Sequence, residues 1–397
     1  MPQWKQYSGI WTQTQQAQAL AAGTWTGITQ YELYAWGGTI NNFGKLGTNN
    51  QISYSSPVQV GTDSDWEQVA AKTQDSVGIK TNGTLWAWGR NVNGGAGQDN
   101  TVQYSSPVQV GALTTWSNFA SGSNSFIAIV KTDGTLWASG RNTSGELGQN
   151  DIINYSSPVQ IGSDTNWATV AGNSGACFAI KTDGTLWAWG KNTDGMLGQN
   201  NVISRSSPVQ IGSDTDWAEV NAGNESVGAV KTTGTLWMWG VNDRGQLGQN
   251  DLIKYSSPVQ VGALTTWDKV SPRNHTFAIK TDGTLWAWGE NEVPGFGYRG
   301  ALGDGTIISR SSPVQIGADT NWKQAVPGTQ CSAAVKTDGT LWWWGWNDGT
   351  PSFNYWQSPL NEKDIDYSSP VQVGSETNWD TVSLGDYFGF ATVKTTT

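Results

Sequence analysis

The chain has 397 residues, with 22 Lys and Arg against 32 Asp and Glu, a net charge of −10 and a single histidine. That balance lacks the basic footprint that nucleic acid requires, and one histidine leaves little metal or acid–base chemistry. No apolar run approaches the ~18 residues of a membrane-spanning helix, and Met1–Lys5 shows no basic region leading into an apolar core, so no secretory signal is expected.

Residues 1–30 precede the repeats. Thr14–Gly23 reads as a short helix, N-capped by Thr12 or Thr14 and stopped by Gly23, with its alanines and Leu20 on one stripe and Trp11 and Trp25 on either side. Such a segment is too short to be stable alone. It is expected to dock on the rest of the chain or on another protein, with Trp4, Trp11, Leu20 and Trp25 as contact residues.

From residue 31 onward three marks recur seven times each. Lys-Thr-Asp-Gly-Thr-Leu-Trp-Ala-Trp-Gly is intact at 181–190 and 280–289, with variants elsewhere and a degraded copy ending at Gly37. Ser-Ser-Pro-Val-Gln begins at Ser55, Ser105, Ser156, Ser206, Ser256, Ser311 and Ser368. A lone tryptophan follows each of these, from Trp66 to Trp379. Within a unit, an apolar run, an Asp-Gly or Asn-Gly turn and an alternating Leu-Trp-Ala-Trp run predict a hairpin. The segment after the lone tryptophan and the run from Pro57 supply two more strands, the proline suiting a sheet edge. Four strands in ~50 residues, seven times over, predict an all-β, seven-bladed propeller over 31–397. The first unit starts at its third strand and the chain stops after a second strand, so 31–60 and 379–397 are expected to share one blade and close the ring.

Trp167–Gly172, Phe178–Gly190 and Asn192–Gly198 together resemble the repeat of the regulator-of-chromosome-condensation family. The resemblance covers residues ~31–397 and implies the same seven-bladed fold. It implies no single activity, because that family includes nucleotide exchange factors and a secreted β-lactamase inhibitor, and fold does not dictate function. The family's histidine is retained only at His275; Asp75, Phe126, Ala176, Ser226, Cys331 and Gly389 stand in the other copies. Separately, Tyr7–Trp11 through Ala21–Trp25 resembles N-terminal segments of marine bacteriophage virion proteins.

Catalytic chemistry finds no support in the residues. His275 reads as a packing residue, because no nucleophile–base pair assembles around it. Cys177 and Cys331 lie three units apart, too far to bridge, and read as buried thiols. Gly295–Gly300 matches a dinucleotide fingerprint but has no helix to present it. Asp133, Asp183, Asp282 and Asp338 read as turn residues rather than calcium ligands. No enzyme, metal or cofactor is expected. Nineteen of the 25 tryptophans fall on repeat positions and are expected to pack between blades.

Variation between units gathers on one side of the disc. Loops between first and second strands and between third and fourth strands share that face, called here the loop face; the hairpin turns and the links between units share the opposite, link face. From the glycine ending the third strand to the Ser-Ser pair the spacing is 16 residues in four units, for example Gly89 to Ser105, but 22, 23 and 18 from Gly289, Gly345 and Gly37. The longer loops carry Phe296, Tyr298, Arg299, Trp346, Phe353, Tyr355 and Trp356, expected as an exposed recognition surface for a protein or glycan. Two functions follow: a non-enzymatic bacteriophage virion component, attached to other virion proteins through residues 1–30 and displaying the propeller to a host-surface glycan or protein, or a soluble module that regulates or inhibits a protein partner through the loop face. The first would place the chain in the virion, the second in the cytoplasm.

Overall fold

The computed structural model describes residues 29–38, 43–122, 126–292, 300–346, 359–360, 365–386 and 388–396. Within it, 28 strands form seven four-stranded antiparallel sheets. Blade three shows the pattern: Trp167–Gly172, Ala176–Lys181, Leu186–Gly190 and Arg205–Gln210, in that order across the sheet. Blades one, two, four, five and six open at Trp66, Trp116, Trp217, Trp267 and Trp322. The first strand of blade three meets the first strands of blades two and four, so first strands surround the axis and fourth strands form the rim.

The remaining blade draws on both ends of the chain. Its order is Tyr54–Gln59, Thr29–Gly37, Phe388–Thr396 and Trp379–Leu384. Nine residue pairs, from Thr29 opposite Thr396 to Gly37 opposite Phe388, close the ring as the repeat count predicts. The pairing starts at Thr29, two residues ahead of the first recognisable repeat.

Core material lies between blades rather than within them. One cluster joins Phe126, Ala128 and Leu136 of blade two to Trp167, Cys177 and Trp189 of blade three, and the next joins Phe178 and Leu186 to Trp217 and Trp239 of blade four. Each buried indole removes roughly 150–250 Å² from water, about 4–6 kcal/mol of transfer free energy before chain entropy is counted. The expectation for the repeat tryptophans holds for the lone ones and for the inner third-strand ones such as Trp189. The outer third-strand ones, such as Trp187, are only half-buried.

The fourth strand departs from its expected start. It begins at Tyr54 rather than Pro57, and a bulge separates the pair Tyr54–Gly37 from the pair Val58–Ala35. Pro57 falls at that bulge on the outer edge, where its missing N–H costs no ladder bond.

Candidate functional site: the loop face and the link face

The link face is built from one module. The Asp183 carboxylate accepts the Thr185 backbone N–H at 3.0 Å and the Thr185 hydroxyl at 2.6 Å, and that hydroxyl accepts the Trp187 indole N–H at 2.9 Å. These bonds hold the Asp183 carboxyl below the usual carboxylate range and fix the outer indole. Asp133, Asp282 and Asp338 do the same in their own turns. Beneath lies a lysine: Lys181 Nζ faces Trp187 at 4.3 Å and Trp167 at 4.6 Å from the ring centroids and meets Asp164 on the incoming link at 2.6 Å. Cation–π contact and ion pair together hold the charge of a side chain that is nearly all buried.

On the loop face, first-to-second-strand loops converge at the axis. Six residues after each lone tryptophan stand Lys72, Gly122, Asn173, Gly223, Arg273, Gly328 and Gly385, a long side chain alternating with glycine until the last pair. The glycines admit the neighbouring backbone: a Cβ on Gly223 would lie 2.3 Å from the Pro272 carbonyl oxygen. Lys72 Nζ donates to the Phe126 carbonyl at 2.9 Å. Arg273 crosses above Gly328 to reach Thr329 Oγ1 at 3.2 Å, the Gly385 carbonyl at 3.5 Å and the Asp386 carboxylate. Only a pit of about 170 Å³ remains there.

Third-to-fourth-strand loops surround this plug on rigid bases. Asn192 is fully buried; its Oδ1 accepts the Leu197 N–H at 2.8 Å and its Nδ2 donates to the Asn201 carbonyl at 3.0 Å. Asn91, Asn142 and Asn242 repeat these bonds. Asn291 makes the corresponding bonds to Leu302 and Thr306, so the described base of the longer loop is built like the others. Asn201 Oδ1 then accepts the Ile203 N–H in an Asx turn, and Ile203 points outward. The position two residues before each fourth strand is aliphatic in all seven blades: Ile52, Val102, Ile153, Ile203, Ile253, Ile308 and Ile365, 48% to 61% exposed. Ile152, Val202 and Leu252 stand beside them. The result is an apolar crown on the outer rim of the loop face.

The residues singled out in the sequence fare unevenly. Phe296, Tyr298, Arg299, Phe353, Tyr355 and Trp356, like Trp4, Trp11, Leu20 and Trp25, lie outside the described residues. Trp346 is a correction: expected to be exposed, it is 9% exposed and joins the cluster of Trp36, Cys331 and Leu384. The cause is its backbone N–H, held 2.9 Å from the Gln330 carbonyl, which keeps the first loop residue against the neighbouring turn. Val241, at the same place in blade four, is buried in the same way. His275 is a packing residue as expected. It is buried, bonded to Ser332 Oγ at 2.9 Å and edge-on to Phe277, and burial lowers its pKa to about 3. Cys177 and Cys331 are buried free thiols, pushed up by burial. Sequence reasoning missed the crown, although its signal is regular: an aliphatic two residues before every Tyr or Arg that precedes Ser-Ser-Pro.

The repeat is the deciding observation for kinship. The family model described as the regulator of chromosome condensation (RCC1) repeat matches residues 32–72, 82–129, 133–180, 183–230 and 233–279, and a second RCC1 repeat model matches 273–293. The chain belongs to the RCC1 repeat family. No curated protein matches it in sequence. Among solved structures, Prp20p from Saccharomyces cerevisiae, described with its binding to Gsp1p and histones, shares 16% identity at a TM-score of 0.76, over 93% of this chain and 92% of that one. Human WBSCR16 shares 15% identity at a TM-score of 0.74, over 91% and 98%. Yeast RCC1 (Prp20) bound to Kap60 shares 17% identity at 0.72, over 94% and 91%. At these identities the likeness shows the RCC1 propeller fold.

Proposed function

We propose that this chain is a protein-binding module that engages its partner through the loop face. One observation carries the reading: of thirteen exposed large aliphatic residues among the described ones, eleven stand on the third-to-fourth-strand loops and two on the opposite face. Exposed large aliphatics gathered on one face of a disc mark an interaction surface more than the same residues scattered over both, and buried asparagines hold five of these loops on stiff bases. The named partners of Prp20, which are proteins, support the reading by analogy of fold. A glycan ligand would instead need open aromatic faces, and the repeat tryptophans are engaged in cages and core. Phe296, Tyr298, Arg299, Phe353, Tyr355 and Trp356 belong to loops that leave the same face and are proposed as its additional contacts.

Placement in a bacteriophage virion, with Trp4, Trp11, Leu20 and Trp25 attaching the chain, rests on the N-terminal resemblance alone; neither the fold nor the matched proteins add to it. Removal of residues 1–28 tests that part separately. The binding role itself is tested by a photo-crosslinking residue at Ile203, compared with one at Thr215 on the link face, in an extract of the source. Crosslinking of one protein from Ile203 and not from Thr215 is expected; the reverse pattern rejects the loop face.

A further inference from the structure

Six blades share the aromatic cage, and two of the six differ from the rest in one respect. In four of them the caged lysine meets a carboxylate on the link: Lys80 with Asp63 at 2.7 Å, Lys181 with Asp164 at 2.6 Å, Lys231 with Asp214 at 2.6 Å and Lys336 with Asp319 at 2.7 Å. Each of these acids stands three residues before its lone tryptophan, about half exposed, so it caps the cage from the solvent side.

Blades two and five have a leucine at that position. Their links read identically, Val-Gly-Ala-Leu-Thr-Thr-Trp at 110–116 and 261–267, so Leu113 and Leu264 hold the chain position that carries the acid in the other four blades. Lys131 Nζ lies 3.7 Å from the Trp137 centroid and 4.9 Å from that of Trp116; Lys280 Nζ lies 3.7 Å from Trp286 and 5.0 Å from Trp267. Among the described residues neither ammonium has a carboxylate within 4.0 Å or a hydrogen-bond acceptor, and Lys131 is 9% exposed. Burial lowers both pKa values, with only the turn acids Asp133 and Asp282 acting against it from a distance. Two π faces compensate a cation weakly compared with a direct ion pair. The chain therefore holds two cages of the same build as the others, each short of one anion.

We propose that Lys131 and Lys280, each with its two tryptophans, are carboxylate sockets on the link face, taking a ligand carboxylate where Asp63, Asp164, Asp214 and Asp319 stand in the other blades. The ligand class is a carboxylate on an aliphatic stem. Leu113 and Leu264 are 46% and 47% exposed beside the sockets, and next to the first a cavity of about 360 Å³ is lined by Val110, Leu113, Trp116, Trp137 and Pro158. That cavity also holds Asp99, bonded to Ser157 at 3.2 Å. Asn250, bonded to Ser312 at 3.2 Å, occupies the same place beside the second socket. An acid there repels the ligand and an amide does not, so the Lys280 socket is the tighter of the two.

The test uses the full chain with 15N-labelled tryptophan, following indole N–H resonances assigned with Trp137→Phe and Trp286→Phe. Hexanoate is expected to shift the signals of the two socket pairs saturably, the Trp267–Trp286 pair at the lower concentration, while 1-hexanol leaves them in place. The double variant Leu113→Asp, Leu264→Asp supplies the anion from within and is expected to weaken hexanoate at least tenfold with the fold retained. The blocked peptide acetyl-Leu-Glu-Leu-amide distinguishes the source: binding at least tenfold tighter than hexanoate assigns the sockets to an acidic protein segment, and weaker binding assigns them to a free carboxylate. Absence of a saturable shift with either probe overturns the proposal, as does undiminished binding to the double variant. These readouts lie on the face opposite the crown, so they stand or fall apart from the loop-face reading.

Discussion

Arg273 of blade five reaches past blade six to pair with Asp386 of the closure blade, and it donates to the Gly385 carbonyl on the way. One side chain thus ties the seam, where the two chain ends meet, to the body of the ring. Removing one partner of a largely buried pair leaves the other under-compensated. Arg273→Ala is expected to lower stability by about 2–3 kcal/mol in urea denaturation. The double variant with Asp386→Ala should lose less than the sum of the single losses.

Gly223 belongs to the same axial plug, and its role is space. Its Cα faces the Pro272 carbonyl so closely that an added Cβ would lie 2.3 Å from the oxygen, with backbone rather than a movable side chain in the way. Gly223→Ala should therefore cost roughly 2–3 kcal/mol, in the range of overpacked cores. Gly212→Ala on the link has open space around its Cβ but a φ of 61°, and should cost only about 1 kcal/mol. Thermal or urea unfolding of the two variants separates crowding from backbone strain.

Asn242 carries the base of the blade-four loop. Its Oδ1 accepts the Leu247 N–H at 2.9 Å and its Nδ2 donates to the Asp251 carbonyl at 3.1 Å. Asn242→Ala leaves both backbone groups without their buried partner and should cost about 2 kcal/mol. Faster amide hydrogen exchange is expected over 242–253 and not in blade two, because the loops are braced one by one.

Glu219 gives the fold a pH dependence. It lines a cavity of about 310 Å³ among the first strands of blades four, five, six and the closure blade. Burial pushes its carboxyl up to about 7, against the opposing bonds from the Val270 N–H and Asn221. Between about 4.5 and about 7 the folded chain keeps a proton that the unfolded chain has released, so this group's contribution falls as pH rises through that window. Glu219→Gln should gain roughly 1–2 kcal/mol relative to the parent between pH 4 and pH 8. Parallel stability–pH curves for the two proteins would reject the assignment.

The propeller was legible because each local signal repeats: Asp183-Gly184 specifies a hairpin, Trp167 a first strand, and the degraded copies at the two ends predict a shared blade. In sequence Pro57 reads as the start of the fourth strand, whereas a bulge lets the strand run through the proline from Tyr54. Trp346 was misread for a related reason. Its composition suggests an exposed anchor, but a backbone bond to Gln330, invisible in sequence, holds it inward. The crown and the axial plug were present in the string as regular positions. Ile203 and Gly223 gain meaning only when seven copies are placed around one axis.

The apolar crown is proposed as the partner-binding surface. Three proteins, immobilised at equal density and exposed to extract of the source, test it most directly by quantitative mass spectrometry: the parent chain, the crown variant Ile153→Ser, Ile203→Ser, Ile253→Ser, and the link-face variant Leu113→Ser, Leu264→Ser. These crown side chains are 56% to 61% exposed, so their replacement should leave stability within about 0.5 kcal/mol. A defined protein is expected to be retained by the parent and the link-face variant and to be depleted at least tenfold on the crown variant. Equal retention on all three, or depletion on the link-face variant alone, would contradict this assignment.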